Sequence, residues 1–297
     1  MAAIFLDCTD DLIGPWNAVL KPGDPDIAVN MANSKVDDIA ATLAGYDIAV
    51  NDHTYFTADT FAACTNLRRI VFLGTGASSF IDLDAAARHN VAVDTIKGYG
   101  DTTVAEHTIA LMMAAARGIA CMDREVRAGR WRQIEGVQML GKTLGILGLG
   151  GIGSEVARIA AGIGMKTAVW NRTPTPGANA TLNEVLATAD FLAITLALND
   201  QTRGFLDADK LNRTKPGLIL INTARADIID ATTLTTLLIS GHIRHAAIDV
   251  FSQEPPTPTD PLLTQPNTTL TAHAGFMTPE ATTTMLRRAV DLVAAGQ

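Results

Sequence analysis

The chain runs to 297 residues, enough for two ordinary domains, with 47% hydrophobic and 18% charged residues and so few aromatics that Ala, Leu, Ile and Val must build the core. A net charge of -8 argues against nucleic acid or an anionic membrane as partner, since both require a clustered basic face; Arg124, Arg127, Arg130 and Arg132 are interleaved with Asp123 and Glu125 and read as a solvated helix face. Cys8, Cys64 and Cys121 are odd in number and lack CxxC spacing, which argues against a disulfide framework or a zinc site and fits a reducing cytoplasm, with no metal expected.

The opening MAAIFLDCTDD has neither a basic region nor a long apolar run, so no signal peptide is expected, and the apolar stretch 109–122 is too short to span a bilayer and holds Arg117. In chain order, the apolar run 2–6 has strand character, as do 47–50, 69–73 and 91–93; between the last two, DLDAAARH over 82–89 reads as a helix. The stretch 102–127 is the longest predicted helix. Val104, His107, Ile109, Leu111 and Met112 spread its apolar surface so widely that it must be buried or form a subunit interface. A second alternating series starts at Gly141: strand 143–147, a glycine loop, helix 152–163, strand 166–170, a Pro/Gly loop 174–177, helix 182–188 and strand 191–196. Strand 218–222, helix 231–240 and strand 246–250 follow, then a Pro-rich segment 254–261 that can be neither helix nor sheet interior, a short strand 269–271 and a helix 279–295. Such alternation predicts an α/β protein of two domains: a Rossmann-type doubly wound parallel sheet over 97–275, and a flavodoxin-like substrate-binding domain made of 1–96 and 276–297.

The segment GKTLGILGLGGIG meets G-x-G-x-x-G with Gly148, Gly150 and Gly153, between a strand and a helix as that motif requires. Gly148 permits the tight turn, Gly150 admits a pyrophosphate close to the backbone, and Gly153 lets the helix pack on the strand, while the helix N-terminus presents N–H groups to the phosphates. The next strand ends in Asn171-Arg172-Thr173 where a carboxylate commonly takes the ribose hydroxyls. Asn171 cannot repel a 2′-phosphate and Arg172 and Thr173 can bind one, so NADP(H) is expected in preference to NAD(H), which remains possible.

Arg225 follows the apolar strand LILIN at what should be its carboxyl edge, where a planar guanidinium suits a carboxylate and a ketone oxygen. Glu254 and His273 come just after the next two strands. A carboxylate beside an imidazole favours its protonated form, which can give a proton to a carbonyl oxygen as hydride reaches carbon.

Together the stretches VAEH (104–107), GKTLGILGLGGIG, KPGLILINTAR, AIDVFSQEP and TAHAG resemble the D-isomer-specific 2-hydroxyacid dehydrogenase family, over about 69–279. The resemblance implies an NAD(P)-dependent oxidoreductase acting on a small 2-keto or 2-hydroxy acid, of glyoxylate/hydroxypyruvate reductase type. By resemblance Arg225 holds the substrate carboxylate and carbonyl, and Glu254 and His273 form the acid/base dyad. Gly151 and Ile152 contact the pyrophosphate, Asn171 the adenosine ribose, Thr223 and Ala224 the nicotinamide side, and Asp249 the carboxamide, with Gly275 among the cofactor contacts. The loop of Gly74, Thr75, Gly76, Ala77 and Ser78 offers N–H groups to the substrate carboxylate, and the helix from Thr102 belongs to a homodimer interface. The sequence departs from the family pattern at Asn171, at Ala226, where Gly usually follows the arginine, and in the loop GTGASSFID. A non-catalytic NAD(P)-sensing binding protein, like the C-terminal-binding co-repressors that resemble this family, is the competing expectation.

Overall fold

The computed structural model describes residues 1–32 and 36–296; residues 33–35 and Gln297, which the expected substrate-binding domain included, lie outside them. The chain divides into two compact units, Met1–Gly100 with Met277–Gln297, and Asp101–Phe276.

In the first unit β1 (Ala3–Cys8), α1 (Asp10–Val19), β2 (Ile27–Met31), α2 (Ile39–Thr42), β3 (Ile48–Asn51), α3 (Ala58–Ala63), β4 (Arg69–Phe72), α4 (Leu83–Arg88) and β5 (Ala92–Thr95) alternate. The five strands form one parallel sheet in the order β2-β1-β3-β4-β5, so its carboxyl edge gathers the loops after β1, β3 and β4. Short apolar strands buried on both faces are what a parallel sheet covered by helices demands. Phe5, Val50 and Val71 pack on one face with Trp16 of α1; Leu6, Ala49 and Ile70 pack on the other with Phe61 of α3 and Ala85 of α4. Asp7, buried at the end of β1, accepts N–H bonds from Asp52, His53 and Thr54 at 2.8 Å each and so fixes the loop after β3. Burial pushes its carboxyl above the usual range against the pull of those bonds.

The second unit runs α5 (Asp101–Arg117), α6 (Ile119–Arg127), β6 (Thr143–Leu147), α7 (Gly151–Gly162), β7 (Lys166–Trp170), α8 (Leu182–Thr188), β8 (Phe191–Ile194), α9 (Ala208–Asn212), β9 (Leu218–Asn222), α10 (Ala231–Ile239), β10 (Ile243–Ile248), α11 (Pro261–Thr264) and β11 (Thr268–Leu270). The last helix, α12 (Pro279–Ala295), belongs to the first unit, where Leu286 and Val290 enter the Trp16 core. All six strands of the second sheet are parallel, in the order β11-β10-β9-β8-β6-β7. Strand order reverses between β6 and β8, and ligands of open parallel sheets bind outside the carboxyl ends at such a point.

One expectation is corrected. The helix predicted over 102–127 breaks at Gly118, which adopts φ 63°, and α5 and α6 are bent by 64°. A Cβ there would press on Ile134 Cγ2 at 3.1 Å, so a side chain is disfavoured at this left-handed turn. The expected burial holds for α5 (Ala105, Ile109, Leu111, Met112, Ala115 and Ala116 are buried), whereas α6 buries no side chain. Among the described residues no single helix is long and apolar enough to cross a membrane.

His245 of β10 is 8% exposed, its Nε2 2.9 Å from Thr269 Oγ1 of β11. Burial above all, then the charges of Arg124 and Arg244, lowers its pKa from 6.5 to about 4. Between those values the unfolded chain holds the extra proton and the folded chain does not, so folding stability falls as the pH is lowered, by at most about 1.4 kcal/mol per pH unit. Urea unfolding of the wild type and His245→Gln is expected to show their stability difference shifting against the wild type across this acid window; a pH-independent difference would contradict the assignment.

Candidate active site

The glycine turn lies between β6 and α7. Gly148 has φ 107°, and a Cβ on it would meet the Thr195 carbonyl oxygen at 2.8 Å; a Cβ on Gly153 would run into the Gly148 carbonyl. The turn is tied at both flanks, since Thr195 Oγ1 of the loop after β8 donates to Gly148 O at 2.7 Å and Leu149 N–H donates to Asn171 Oδ1 at 2.9 Å. Gly150, which precedes α7, has no side chain to cap it, so the first-turn N–H groups of Gly151, Ile152 and Gly153 have no side-chain oxygen of that residue to take them. A helix N-terminus in that state, beside glycines that admit a close approach, fits a pyrophosphate. The Asp101 carboxylate at the start of α5 lies against Gly151.

Asn171 holds this turn from the end of β7. Its Oδ1 takes Leu149, and its Nδ2 donates to Thr173 O at 2.9 Å and Thr175 Oγ1 at 2.7 Å. The ribose contact expected of Asn171 thus competes with an internal role. Arg172 and Thr173 are exposed next to it.

Arg225, Glu254 and His273 occupy the loops after β9, β10 and β11 and come together. His273 Nδ1 lies 2.7 Å from Glu254 Oε2, with side chains 35% and 38% exposed, and Glu254 Oε1 accepts the Phe251 N–H at 2.9 Å. Burial pushes the Glu254 carboxyl up, but the His273 and Phe251 hydrogen bonds and the charges of His273 and Arg225 outweigh it and hold it below the usual range. Because the carboxylate only accepts, it takes the Nδ1 proton and leaves Nε2 as the outward-facing ring atom. Arg225 has extended backbone (φ -149°), its carbonyl accepts Asn222 Nδ2 at 3.0 Å, and its Nη1 donates to Ala224 O at 2.6 Å.

His273 adopts φ 51°, left-handed for a residue with a side chain. Asp249, 1% exposed, fixes that conformation. Its carbonyl accepts the His273 N–H at 2.7 Å, and its carboxylate accepts Thr271 Oγ1 at 2.6 Å, Ala274 N–H at 2.9 Å and Gly275 N–H at 3.0 Å. His107 Nε2 of α5 is 3.3 Å from Asp249 Oδ1. Burial raises the Asp249 pKa, and these donors, His107 foremost, more than reverse it. Asp249 and Gly275, expected as cofactor contacts, are therefore bonded to each other here. Thr223 is buried with its hydroxyl on Thr108, and Ala224 N–H donates to Asn222 Oδ1 at 3.0 Å.

In the first unit, the loop after β4 places Thr75 and Ser78 at the surface, buries Gly74 and turns Ala77 into the core. Among the described residues no three His, Cys, Asp or Glu side chains are grouped to hold a metal. Sequence reasoning gave no role to Thr195, Thr108, Thr271 or His107, although VAEH and TAHAG contain the last two and could have flagged them.

Residues 109–275, more than half of the chain, match the family model for the D-isomer specific 2-hydroxyacid dehydrogenase NAD binding domain. The chain is 34% identical to a D-3-phosphoglycerate dehydrogenase of Mycobacterium leprae over 82% of its own length and 47% of that protein, and 35% identical to the Bacillus subtilis enzyme of the same name over 85% and 50%. It thus spans about half the length of these curated relatives. The solved glyoxylate reductase of Paecilomyes thermophila superposes with a TM-score of 0.86 at 29% identity, covering 99% of this chain and 95% of that one. The ordered glycine turn, the arginine and the paired carboxylate and imidazole on one parallel-sheet edge agree with these matches: the chain belongs to the D-isomer specific 2-hydroxyacid dehydrogenase family.

Proposed function

We propose that this protein is an NAD(P)-dependent 2-keto acid reductase, working between a small 2-keto acid and its D-2-hydroxy acid, of the glyoxylate or hydroxypyruvate kind. The observation that carries the reading is the 2.7 Å pairing of His273 Nδ1 with Glu254 Oε2 in the field of Arg225. It stands on the sheet edge that also bears the glycine turn. A bound nicotinamide supplies the hydride. Arg225 pairs with the substrate carboxylate and polarises the keto oxygen, His273 gives its Nε2 proton to that oxygen, and Glu254 keeps the ring oriented through Nδ1.

The relatives differ over the phosphoryl group: those named first act by name on 3-phosphoglycerate, the solved neighbour on glyoxylate. The loops of the first unit after β3 and β4, NDHTYFT and LGTGASSFID, hold no Lys or Arg. A phosphoryl dianion calls for such cations, so the substrate is proposed to be unphosphorylated. For the cofactor, exposed Arg172 and Thr173 beside an uncharged Asn171 support NADP(H) over NAD(H). For assembly, Ile119 (51%), Val126 (54%), Trp131 (85%) and Leu140 (64%) are large apolar side chains exposed on α6 and the segment after it, which supports a second copy of the chain as partner.

With glyoxylate or hydroxypyruvate the wild type is expected to oxidise NADPH steadily at the nicotinamide absorbance. His273→Ala should lower kcat by about 100-fold or more with cofactor affinity retained, and Arg225→Ala should chiefly raise the keto-acid KM. A wild type that binds cofactor yet turns over no 2-keto acid would favour the sensor reading instead. Arg172→Ala is expected to raise the NADPH KM about tenfold and leave the NADH KM unchanged; equal effects on both cofactors would remove the case for NADP. Light scattering should give a dimer mass for the wild type and a smaller mass for Trp131→Glu, and a monomeric wild type rejects the assembly.

A further inference from the structure

We infer that His107 and Thr108, consecutive residues of α5, are positioning residues that hold two arms of the catalytic set, His107 the His273 loop and Thr108 the Arg225 loop. This rests on the roles proposed above for His273 and Arg225. The helix is a firm base, because Ala105, Ile109 and Met112 pack into the same core as Ile219 and Ile221 of β9 and Ala247 of β10.

The proton assignments follow from which groups can only accept. Thr271 Oγ1 lies 2.6 Å from Asp249 Oδ1, and a carboxylate cannot donate, so the single hydroxyl proton of Thr271 goes to Asp249. Towards His107 Nε2, at 3.1 Å, Thr271 Oγ1 is left with lone pairs alone. His107 Nε2 must therefore carry hydrogen, and the same N–H faces Asp249 Oδ1 at 3.3 Å. Both acceptors of that one donor flank His273: Thr271 precedes it by two residues, and Asp249 accepts the N–H groups of His273, Ala274 and Gly275. The left-handed φ of His273, which a side chain disfavours, is thus maintained by a network whose far end is His107.

The neighbouring residue serves the other arm. Thr108 Oγ1 donates to Val104 O at 2.7 Å, so Thr223 Oγ1, also at 2.7 Å, must donate to Thr108. Both threonines are buried, and Thr223 stands two residues before Arg225. Between residues 107 and 271 and between 108 and 223 the chain separations are 164 and 115, so these are purely tertiary contacts.

Hydride transfer responds to misplacement of well under an ångström to one ångström, so loosening the His273 loop lowers kcat, while the glycine turn keeps its cofactor affinity. His107→Gln and His107→Asn separate a placed donor from mere bulk. The Gln amide nitrogen reaches the Nε2 position and that of Asn does not. With NADPH and glyoxylate or hydroxypyruvate, His107→Asn is expected to lose kcat by about tenfold or more. Its NADPH Kd should stay within about twofold, and His107→Gln should recover most of kcat. Thr223→Val should raise the keto-acid KM more than it lowers kcat. Two variants equal to wild type, or equally impaired, overturn the inference. The tautomer is read without turnover: nitrogen-15 NMR of labelled imidazoles should show neutral His107 protonated at Nε2, and an Nδ1–H form overturns the network. A wild type without keto-acid turnover would sink the proposed function while this NMR result still decided the network.

Discussion

Parallel strands end on one edge, and that constraint organises the site. A ladder in which β6, β8, β9, β10 and β11 all run the same way delivers the glycine turn, Thr195, Arg225, Glu254 and His273 to the same side of the sheet. No local propensity could do this, because the residues are spread over more than a hundred positions. The inner strands are buried, their backbone groups are paired within the ladder, and the polar chemistry is confined to the loops beyond it.

Holding the loops in place is a separate problem, and a buried carboxylate solves it for the loop after β11. Asp249 would be costly where it stands, at 1% exposure, without partners. With donors from Thr271, Ala274, Gly275 and His107 it is ionised below the usual range and becomes the anchor for a residue in a disfavoured backbone conformation. The same logic, with a different outcome, appears in the first unit. Asp7 also gathers three backbone N–H groups, yet burial dominates and its carboxyl is raised. Asp249 has the His107 imidazole foremost among its donors, whereas Asp7 meets the Asp52 charge, which adds to burial in raising it.

The parts legible in the sequence were those with a local signature. The glycine turn is a motif whose steric reasons need no knowledge of the fold, and Arg225, Glu254 and His273 announce themselves as polar residues just beyond apolar strands. What escaped depends on through-space pairing or on backbone sign. His107 read as part of an apolar helix because its partners lie just beyond β10 and β11. Asn171 read as a ribose ligand because its position follows a strand, whereas the fold turns its amide on Leu149, Thr173 and Thr175. The break at Gly118 was missed because one glycine in a helical pattern is tolerable by composition, whereas its left-handed φ and the packing of Ile134 belong to the folded chain.

For an acidic chain of net charge -8, the anionic cofactor and anionic acid proposed above call for local rather than overall complementarity. At physiological ionic strength charges more than about 8 Å apart are largely screened. The distant carboxylates therefore matter little, and on the proposed reading the groups at the edge decide: the N-terminus of α7, Arg172 and Arg225. Asp101 is the exception, since its carboxylate lies directly against Gly151 at that helix end. The positive end of the helix dipole favours it there. A pyrophosphate brought to that helix end would meet this negative charge. Asp101 is the first residue of α5, the helix that also carries His107 and Thr108.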